Sequence, residues 1–447
     1  MGGILADDMG LGKTVQVLSY LLAMKQSGQT ESKGLLPSLI VCPASLVLNW
    51  AEECRKFTPE LTCVVVDGDA AHRVALAESW PAADLVVTSY DLLRRDEALY
   101  EGQEFYACIL DEAQAIKNHT TQKYKAVCKV CSRVRFALTG TPVENRLGEL
   151  WSIFSFLMPG YLPPYKSFCS RFEKPIVQEE DQTAVRRLNQ LTGPFILRRM
   201  KADVLKELPP KTENVYRIEL EEEQRKLYLA AVVDAREKLR AAKPEDKMAV
   251  FAVLMRLREI CCDPRLIADN WEGGSAKLDA CVELISGAVE GGHRILLFSQ
   301  FTSMLELLAK RLDAEGISHF TLQGSTPKPV RAELVRRFNG GEVSVFLISL
   351  RAGGTGLNLT AADIVIHYDP WWNVAAQNQA TDRAYRIGQQ NPVQVYKLIA
   401  QDTIEEKIVE LQQAKQSLAD TVTGTADGAI LSMRPDELLQ LLEGSEG

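Results

Sequence analysis

Four short stretches bring together residue types that handle phosphate and water. The run Ala6-Asp7-Asp8-Met9-Gly10-Leu11-Gly12-Lys13-Thr14 reads as a phosphate-binding loop between a short apolar strand and a helix. Gly10 and Gly12 let backbone amides converge on phosphate oxygens, and the helix N-terminus adds partial positive charge. Lys13 suits the β- and γ-phosphates, and the Thr14 hydroxyl suits Mg2+. The strict loop pattern places glycine where Asp7 stands. A second stretch, Cys108-Ile109-Leu110-Asp111-Glu112, is an apolar run that ends in paired carboxylates. Asp111 is placed to hold Mg2+, and Glu112 to polarise a water attacking the γ-phosphate. In the third, Leu138-Thr139-Gly140-Thr141-Pro142, the two threonines are small hydrogen-bonding groups suited to sensing the γ-phosphate and passing its state onward. The fourth holds Arg383 and Arg386, three apart on an expected helix and so on one face, which suits arginine fingers. Adjacent acids or paired arginines are common on surfaces. Their order along one chain is what points to nucleotide hydrolysis.

These groups need elements to hold them, and the chain has a clear rhythm. Apolar runs ending in polar or glycine residues fall at 38–45, 62–68, 84–90, 106–113 and 135–142, and again at 293–300, 319–325, 343–350, 362–369 and 393–400. Such runs are expected of parallel strands buried on both faces of an α/β sheet. Ligands of these sheets sit beyond the carboxyl ends of the strands, where the polar residues above fall. From about 158 to 270 the strand rhythm stops and helical patterns dominate, notably at 221–242 and 248–262. A glycine-rich turn at 349–359 contains Arg351, Gly353 and Gly354, suited to gripping a phosphate backbone or the nucleotide. The expected divisions are 1–158, 159–270, 271–420 and a polar, acidic tail at 421–447.

Composition narrows the class. The 447 residues are 46% hydrophobic and 25% charged, ordinary for a soluble globular protein. No apolar run approaches the roughly 20 residues of a membrane span, and no secretory segment opens the chain. No membrane partner is expected, and a cytoplasmic monomer is. Ten cysteines in a chain this long do not make a disulfide scaffold. Cys128 and Cys131 form a lone CxxC, read as structural with both thiols near a helix face. A formal net charge of -8 argues against a generic polyanion binder. Nucleic-acid contact would require local basic clusters, for which Arg198, Arg199 and Lys201, and Arg331, Arg336 and Arg337, are candidates.

Taken in order, ADDMGLGKT, VCPASLVLNW, VTSYDLL, LDEAQAIKN, LTGTPVENRLGELW, FILRRMKADVLKELPPK, LFSQFT, SLRAGGTGLNLTAADIVIHYDPWWN and QATDRAYRIGQ resemble the helicase-like ATPases of the Swi/Snf family, in helicase superfamily two. The resemblance covers nearly the whole chain. It implies an α/β fold of two RecA-like lobes with parallel sheets, ATP and Mg2+ between them, and a helical insertion between and within the lobes. It implies duplex DNA as substrate, tracked along its backbone, with RNA polymerase or other DNA-bound proteins as candidates for displacement. It adds Gln379 to Lys13, Asp111, Glu112, Arg383 and Arg386 as catalytic groups. It also implies phosphate contacts at Ser45, Thr88, Ser89, Arg351, Gly353 and Gly354.

The family often carries an acidic residue where Asp7 stands, so that departure supports membership. Others touch the coupling of ATP to DNA. Gln114 stands where the family usually has His, Tyr385 also replaces His, Val374 replaces Pro, and Cys262-Asp263 replaces a pair such as Asn-His. Family members carry an adenine-contacting segment with a glutamine just upstream of the phosphate loop. The sequence starts downstream of it and is read as truncated at the N-terminus, from a prokaryotic source. A strand-separating helicase and a catalytically impaired DNA- or polymerase-binding module stay open as alternatives.

Overall fold

The computed structural model describes residues 2–27, 36–140, 147–179, 181–205, 207–243, 246–268, 270–353, 357–412 and 435–443. The chain divides into two units, Met1–Lys206 and Glu207–Gly447. Each is built on one parallel sheet.

In the first unit the strands are β1 (Gly3–Leu5), β2 (Ser38–Cys42), β3 (Cys63–Val65), β4 (Leu85–Ser89), β5 (Glu104–Asp111), β6 (Cys131–Leu138) and β7 (Ile196–Leu197). Their order is β3-β4-β2-β5-β6-β1-β7, and every pairing is parallel. All five residues of β2 and of β4 are buried, because helices cover both faces. The helices Lys13–Gln26 and Val47–Phe57 pack Val17, Leu18, Leu21, Val47, Trp50 and Cys54 onto Ile40, Val87 and Ile109.

The second unit contains β8 (Lys211–Ile218), β9 (Ile295–Ser299), β10 (His319–Leu322), β11 (Val345–Ser349), β12 (Ile364–His367) and β13 (Val393–Ala400), in the order β10-β11-β9-β12-β13-β8. These pairings are also all parallel. The helices Ala276–Glu290 and Thr302–Ala314 cover one face with Leu278, Cys281, Ile285, Met304, Leu305 and Leu308.

The ten expected strands are all present, in two parallel α/β sheets. The short apolar strand expected before the phosphate loop is β1, and two more were not expected: β7 and β8. The expected helical region 159–270 contains these two and falls on both sides of the division at Lys206. Its first part supplies the helices Tyr165–Phe168, Lys174–Gln178 and Gln182–Thr192 to the first unit. Its second part supplies Glu222–Ala241 and Lys247–Cys262, which bury Tyr228, Val232, Leu239, Leu254 and Leu257 in a core shared with Trp372, Ala400, Ile404 and Ile408. The terminal helix Pro435–Glu443 closes that core with Leu438 and Leu442, so this part of the acidic tail is packed.

Two smaller expectations need correction. Cys128 ends the helix Gln122–Lys129, whereas Cys131 opens β6, so the thiols do not share a helix face. The basic clusters are largely paired internally: Arg199 with Asp7, Arg336 with Glu333, and Arg337 with Glu342. Arg331 donates to the carbonyls of Gln323, Gly324 and Thr326. Among the described residues, no helix is long and apolar enough to cross a membrane.

Candidate nucleotide site

Three adjacent strands, β5, β6 and β1, deliver the candidate groups at their carboxyl ends. The loop after β1 turns sharply at Gly10 (φ 83°) and Gly12 (φ 73°), values that L side chains rarely adopt. Gly12 opens the helix Lys13–Gln26, which has no side-chain cap and no acidic residue in its first turn. Its amides and positive end suit an anion. Lys13 Nζ donates to the carbonyls of Asp7 (2.7 Å) and Asp8 (3.3 Å). Thr14 follows in the first turn, half-buried. Met9 lies against Gly140, where an added Cβ would stand 3.2 Å from Met9 Cγ. The phosphate loop and the Thr139-Gly140 turn are therefore in close register.

Asp7 is not turned toward the loop. Its carboxylate is fully buried and accepts from Arg199 N (3.0 Å), Arg199 Nε (3.0 Å) and Gln16 Nε2 (3.2 Å), with Arg199 Nη2 also bonded. Burial works against its charge, but Arg199 and Gln16 together hold the carboxyl below its usual range. The backbone continues the same clamp. Ala6 N donates to Leu197 O, Asp8 N to Arg199 O, and Lys201 N to Asp8 Oδ2. Asp7 therefore anchors the base of the loop to the segment after β7, and its placement assigns it a scaffold role.

Asp111 ends β5 with Oδ2 accepting from Trp50 Nε1 (2.8 Å) and Oδ1 from Glu112 N (2.9 Å). Burial and the neighbouring Glu112 push its carboxyl up to about 7, against the lowering effects of the Trp50 bond and of Lys13. Glu112 holds a left-handed backbone (φ 50°), a strained conformation typical of functional sites. Gln114 joins two of the expected residues. Its Nε2 donates to Glu112 Oε2 (2.7 Å), and its Oε1 accepts from Thr139 Oγ1 (3.1 Å). Thr139 itself is buried, and its N–H donates to Leu5 O at the end of β1. A continuous polar chain thus runs Glu112–Gln114–Thr139. Thr141 lies outside the described residues.

The remaining expected residues are placed less uniformly. Ser45 is half-buried in the turn before the helix Val47–Phe57. Thr88 is completely buried with its hydroxyl accepting from Tyr100, and Ser89 Oγ caps the following helix through Leu92 N. Both hydroxyl oxygens thus serve as internal acceptors at the end of β4. In the second unit, Gln379 is half-buried on the helix Val374–Thr381. That helix stops before Arg383, so the expectation that Arg383 and Arg386 share a helix face is corrected. The chain turns there because Gln389 Nε2 gathers the carbonyls of Thr360, Ala362 and Ala384, and because Gly388 takes φ 102°. Arg383 is buried and Arg386 half-buried. Arg351 and Gly353 sit in the short helix Leu350–Gly353 after β11, and Gly354 lies outside the described residues.

Sequence reasoning missed Gln16, and it gave no supporting role at this site to Arg199, read as part of a basic cluster, or to Trp50, the last residue of the VCPASLVLNW motif. The partners of Arg199 and Trp50 lie 192 and 61 residues away, so neither pairing is visible locally.

The SNF2-related domain family matches residues 1–266, and the Helicase conserved C-terminal domain family matches residues 276–388. An uncharacterized ATP-dependent helicase of Mycoplasma genitalium is 40% identical over 447 residues, covering 99% of this chain and 42% of its own length. A putative ATP-dependent helicase/translocase of Bacillus subtilis is 39% identical over 450 residues, covering 98% of this chain and 48% of its own. This chain thus spans less than half the length of these two curated relatives. The solved Sulfolobus solfataricus SWI2/SNF2 ATPase core in complex with dsDNA is 36% identical, with 98% of this chain and 92% of that one covered and a TM-score of 0.46. The match over residues 1–266, with the phosphate loop and the Asp111-Glu112 strand end inside it, places the chain in the SNF2 family.

Proposed function

We propose that this chain is the motor core of an ATP-dependent double-stranded DNA translocase that displaces or remodels protein–DNA complexes. The observation that carries the reading is the convergence of Lys13, Asp111 and the Glu112–Gln114–Thr139 chain at the ends of three neighbouring strands. In this reading Lys13 and the loop amides hold the nucleotide phosphates, and Thr14 and Asp111 hold Mg2+. Mg2+ is usually bound by one or two carboxylates plus substrate phosphates, which fits this sparse donor set. When bound, the ion would neutralise charge on the phosphates, and it would relieve the cost of keeping the half-buried Asp111 charged.

Glu112 orients and polarises the attacking water, while Gln114 fixes the carboxylate and links it to Thr139. Gln379, Arg383 and Arg386 are assigned to the same hydrolysis as transition-state partners. Ser45, Arg351, Gly353 and Gly354 are assigned to the DNA backbone; Thr88 and Ser89 act instead by shaping the end of β4. The relatives' names, an ATP-dependent helicase and a helicase/translocase, support the class of activity.

The test compares ATP turnover with and without duplex DNA at low salt for the native chain, Lys13→Ala and Glu112→Gln. Displacement of a DNA-bound roadblock and of an annealed strand are followed in parallel. Duplex-stimulated turnover lost in both variants, with roadblock displacement and no strand separation, is expected. Three equal, negligible rates would overturn the reading in favour of a non-catalytic binding module.

A further inference from the structure

Arg258 belongs to none of the groups assigned above, yet its setting is unusual. It lies on the Lys247–Cys262 helix with a side chain that is wholly buried, and it is among the largest such residues in the chain. Its Nη2 donates to Asp369 Oδ2 (2.9 Å) and to Pro370 O (2.6 Å), and its Nη1 donates to Gln300 Oε1 (2.7 Å). The guanidinium also lies over the rings of Trp372 (4.8 Å), Phe301 (5.3 Å) and Trp371 (5.6 Å). Asp369 is occupied on its other oxygen by Ser299 Oγ (2.6 Å) and Gln300 N (3.1 Å).

These partners have one thing in common. Ser299, Gln300 and Phe301 stand at the carboxyl end of β9, and Asp369 to Trp372 follow the carboxyl end of β12. The second of these loops runs directly into Asn373, whose side chain caps the helix Val374–Thr381 through Ala376 N. That helix carries Gln379 and leads to Arg383. At its far end Thr381 Oγ1 is bonded to His367 Nε2 (2.9 Å), so both ends of the helix are held from β12.

Stability alone is a poor reason for this arrangement. A buried ion pair is often no better than apolar residues of the same volume, because desolvating two charges offsets their attraction. What a planar guanidinium supplies is direction: several donors in a rigid fork, which a lysine cannot reproduce. Here the fork joins a helix to two strand-end loops 42 and 111 residues away.

We infer that Arg258 is a positioning residue, fixing the Asp369–Asn373 loop and so the orientation of the helix and turn that carry Gln379 and Arg383. The catalytic consequence rests on the proposed ATP hydrolysis; the structural consequence does not. Three variants separate them: Arg258→Lys, Arg258→Met, and Arg258→Met with Asp369→Leu, which removes both charges and keeps the site apolar.

The double variant leaves no buried charge unpaired but takes the acceptor from Ser299 Oγ and Gln300 N, so it is expected to fold with a melting temperature lowered by only a few degrees. Amide exchange across 373–386 should quicken in it, while exchange in β9 and β13 stays slow. Its kcat should fall by about 10²-fold with KM for ATP unchanged, the loss expected when catalytic groups are displaced by roughly 1 Å. Arg258→Lys should resemble it in kcat rather than the native chain. Unchanged exchange across 373–386 in the folded double variant overturns the inference, as does native kcat in either the double variant or Arg258→Lys. Quickened exchange in a chain whose native form never hydrolyses ATP refutes the functional reading and leaves the positioning role intact.

Discussion

Replacing Asp7 by alanine tests the clamp at the base of the phosphate loop. The carboxylate is fully buried and accepts from the Arg199 amide, from two nitrogens of its guanidinium and from Gln16. Breaking a buried ion pair by removing one partner costs about 3–5 kcal/mol. The side chain of Arg199 is 40% exposed, so water recovers part of that loss. The buried Arg199 N–H and Gln16 amide recover less, and bonds to a charged acceptor are each worth about 1.5–3 kcal/mol without adding fully. The net expectation is about 3 kcal/mol. For a unit of Met1–Lys206, each kcal/mol lowers the melting temperature by about 2–4 °C, giving a drop of about 6–12 °C. Asp7→Asn, which keeps one acceptor, should lose about half as much.

Calorimetry measures the shift, and amide exchange localises it. Residues 3–8 and 196–201 should exchange faster, while β2 and β4 stay protected. The carboxyl is held below its ordinary range, so its contribution is present above the unfolded value near 4 and fades as pH falls through the folded one. The difference between the native chain and Asp7→Ala should therefore shrink in acid. A melting shift under 2 °C at neutral pH, or equal exchange in 3–8, would refute the clamp.

Other outcomes follow from the same geometry. Gln114→Ala should lower turnover by about 10–100-fold with little change in nucleotide affinity, because it frees Glu112 and cuts the link to Thr139; equal kcat would remove that link from the mechanism. Glu112→Gln should bind ATP normally and hydrolyse it at a small fraction of the native rate; loss of binding would contradict its role. His367 is buried and its pKa is pushed down to about 3 by desolvation, aided by Lys397. The unfolded chain then takes up a proton below about pH 6.5 that the folded chain refuses, costing about 1.4 kcal/mol per pH unit until the folded value is reached. His367→Gln should therefore flatten the dependence of unfolding free energy on pH between 6 and 4 by one proton. Glu213 is opposed by burial, but Lys211 and Lys397 outweigh it and leave the carboxyl at about 2. Its contribution is present above the unfolded value near 4.3 and is lost as pH falls toward 2. Denaturation of Glu213→Gln should accordingly match the native chain near pH 2, diverge from it as pH rises between 2 and about 4, and differ fully above pH 5.

What the sequence disclosed tracks how local each physical cause is. Ten strands were legible because burial on both faces demands unbroken apolar runs, as in Leu39-Ile40-Val41 and Leu296-Leu297-Phe298. The edge strand β8 escaped because Lys211-Thr212-Glu213-Asn214 faces water and is defined by its eight-residue pairing with β13. The two-residue β7 escaped because it is defined only by its pairing with β1, Ile196 opposite Ile4 and Leu197 opposite Leu5. Among site residues, Lys13, Asp111, Glu112 and Thr139 sit where the motif pattern puts them. Thr88 and Ser89 have the right residue types for phosphate, but their hydroxyls serve Tyr100 and a helix cap. Arg383 and Arg386 carried a helical spacing that the Gln389 side chain overrides by bonding three carbonyls. Partnerships across long separations, such as Asp7 with Arg199, leave no periodic trace.

The parallel seating of β1 between β6 and β7 bears on how the chain matures at the ribosome. The loop that would grip phosphate is made before both of its neighbours in the sheet, which end at Leu138 and Leu197. Its anchoring guanidinium is made later still, 192 residues after Asp7. During synthesis the opening residues must wait, while β2 to β5 can already assemble. Nucleotide grip is thus acquired as one of the last acts of folding in the first unit, so an interrupted chain ending before Arg199 would lack a finished loop and would not compete for nucleotide with completed molecules.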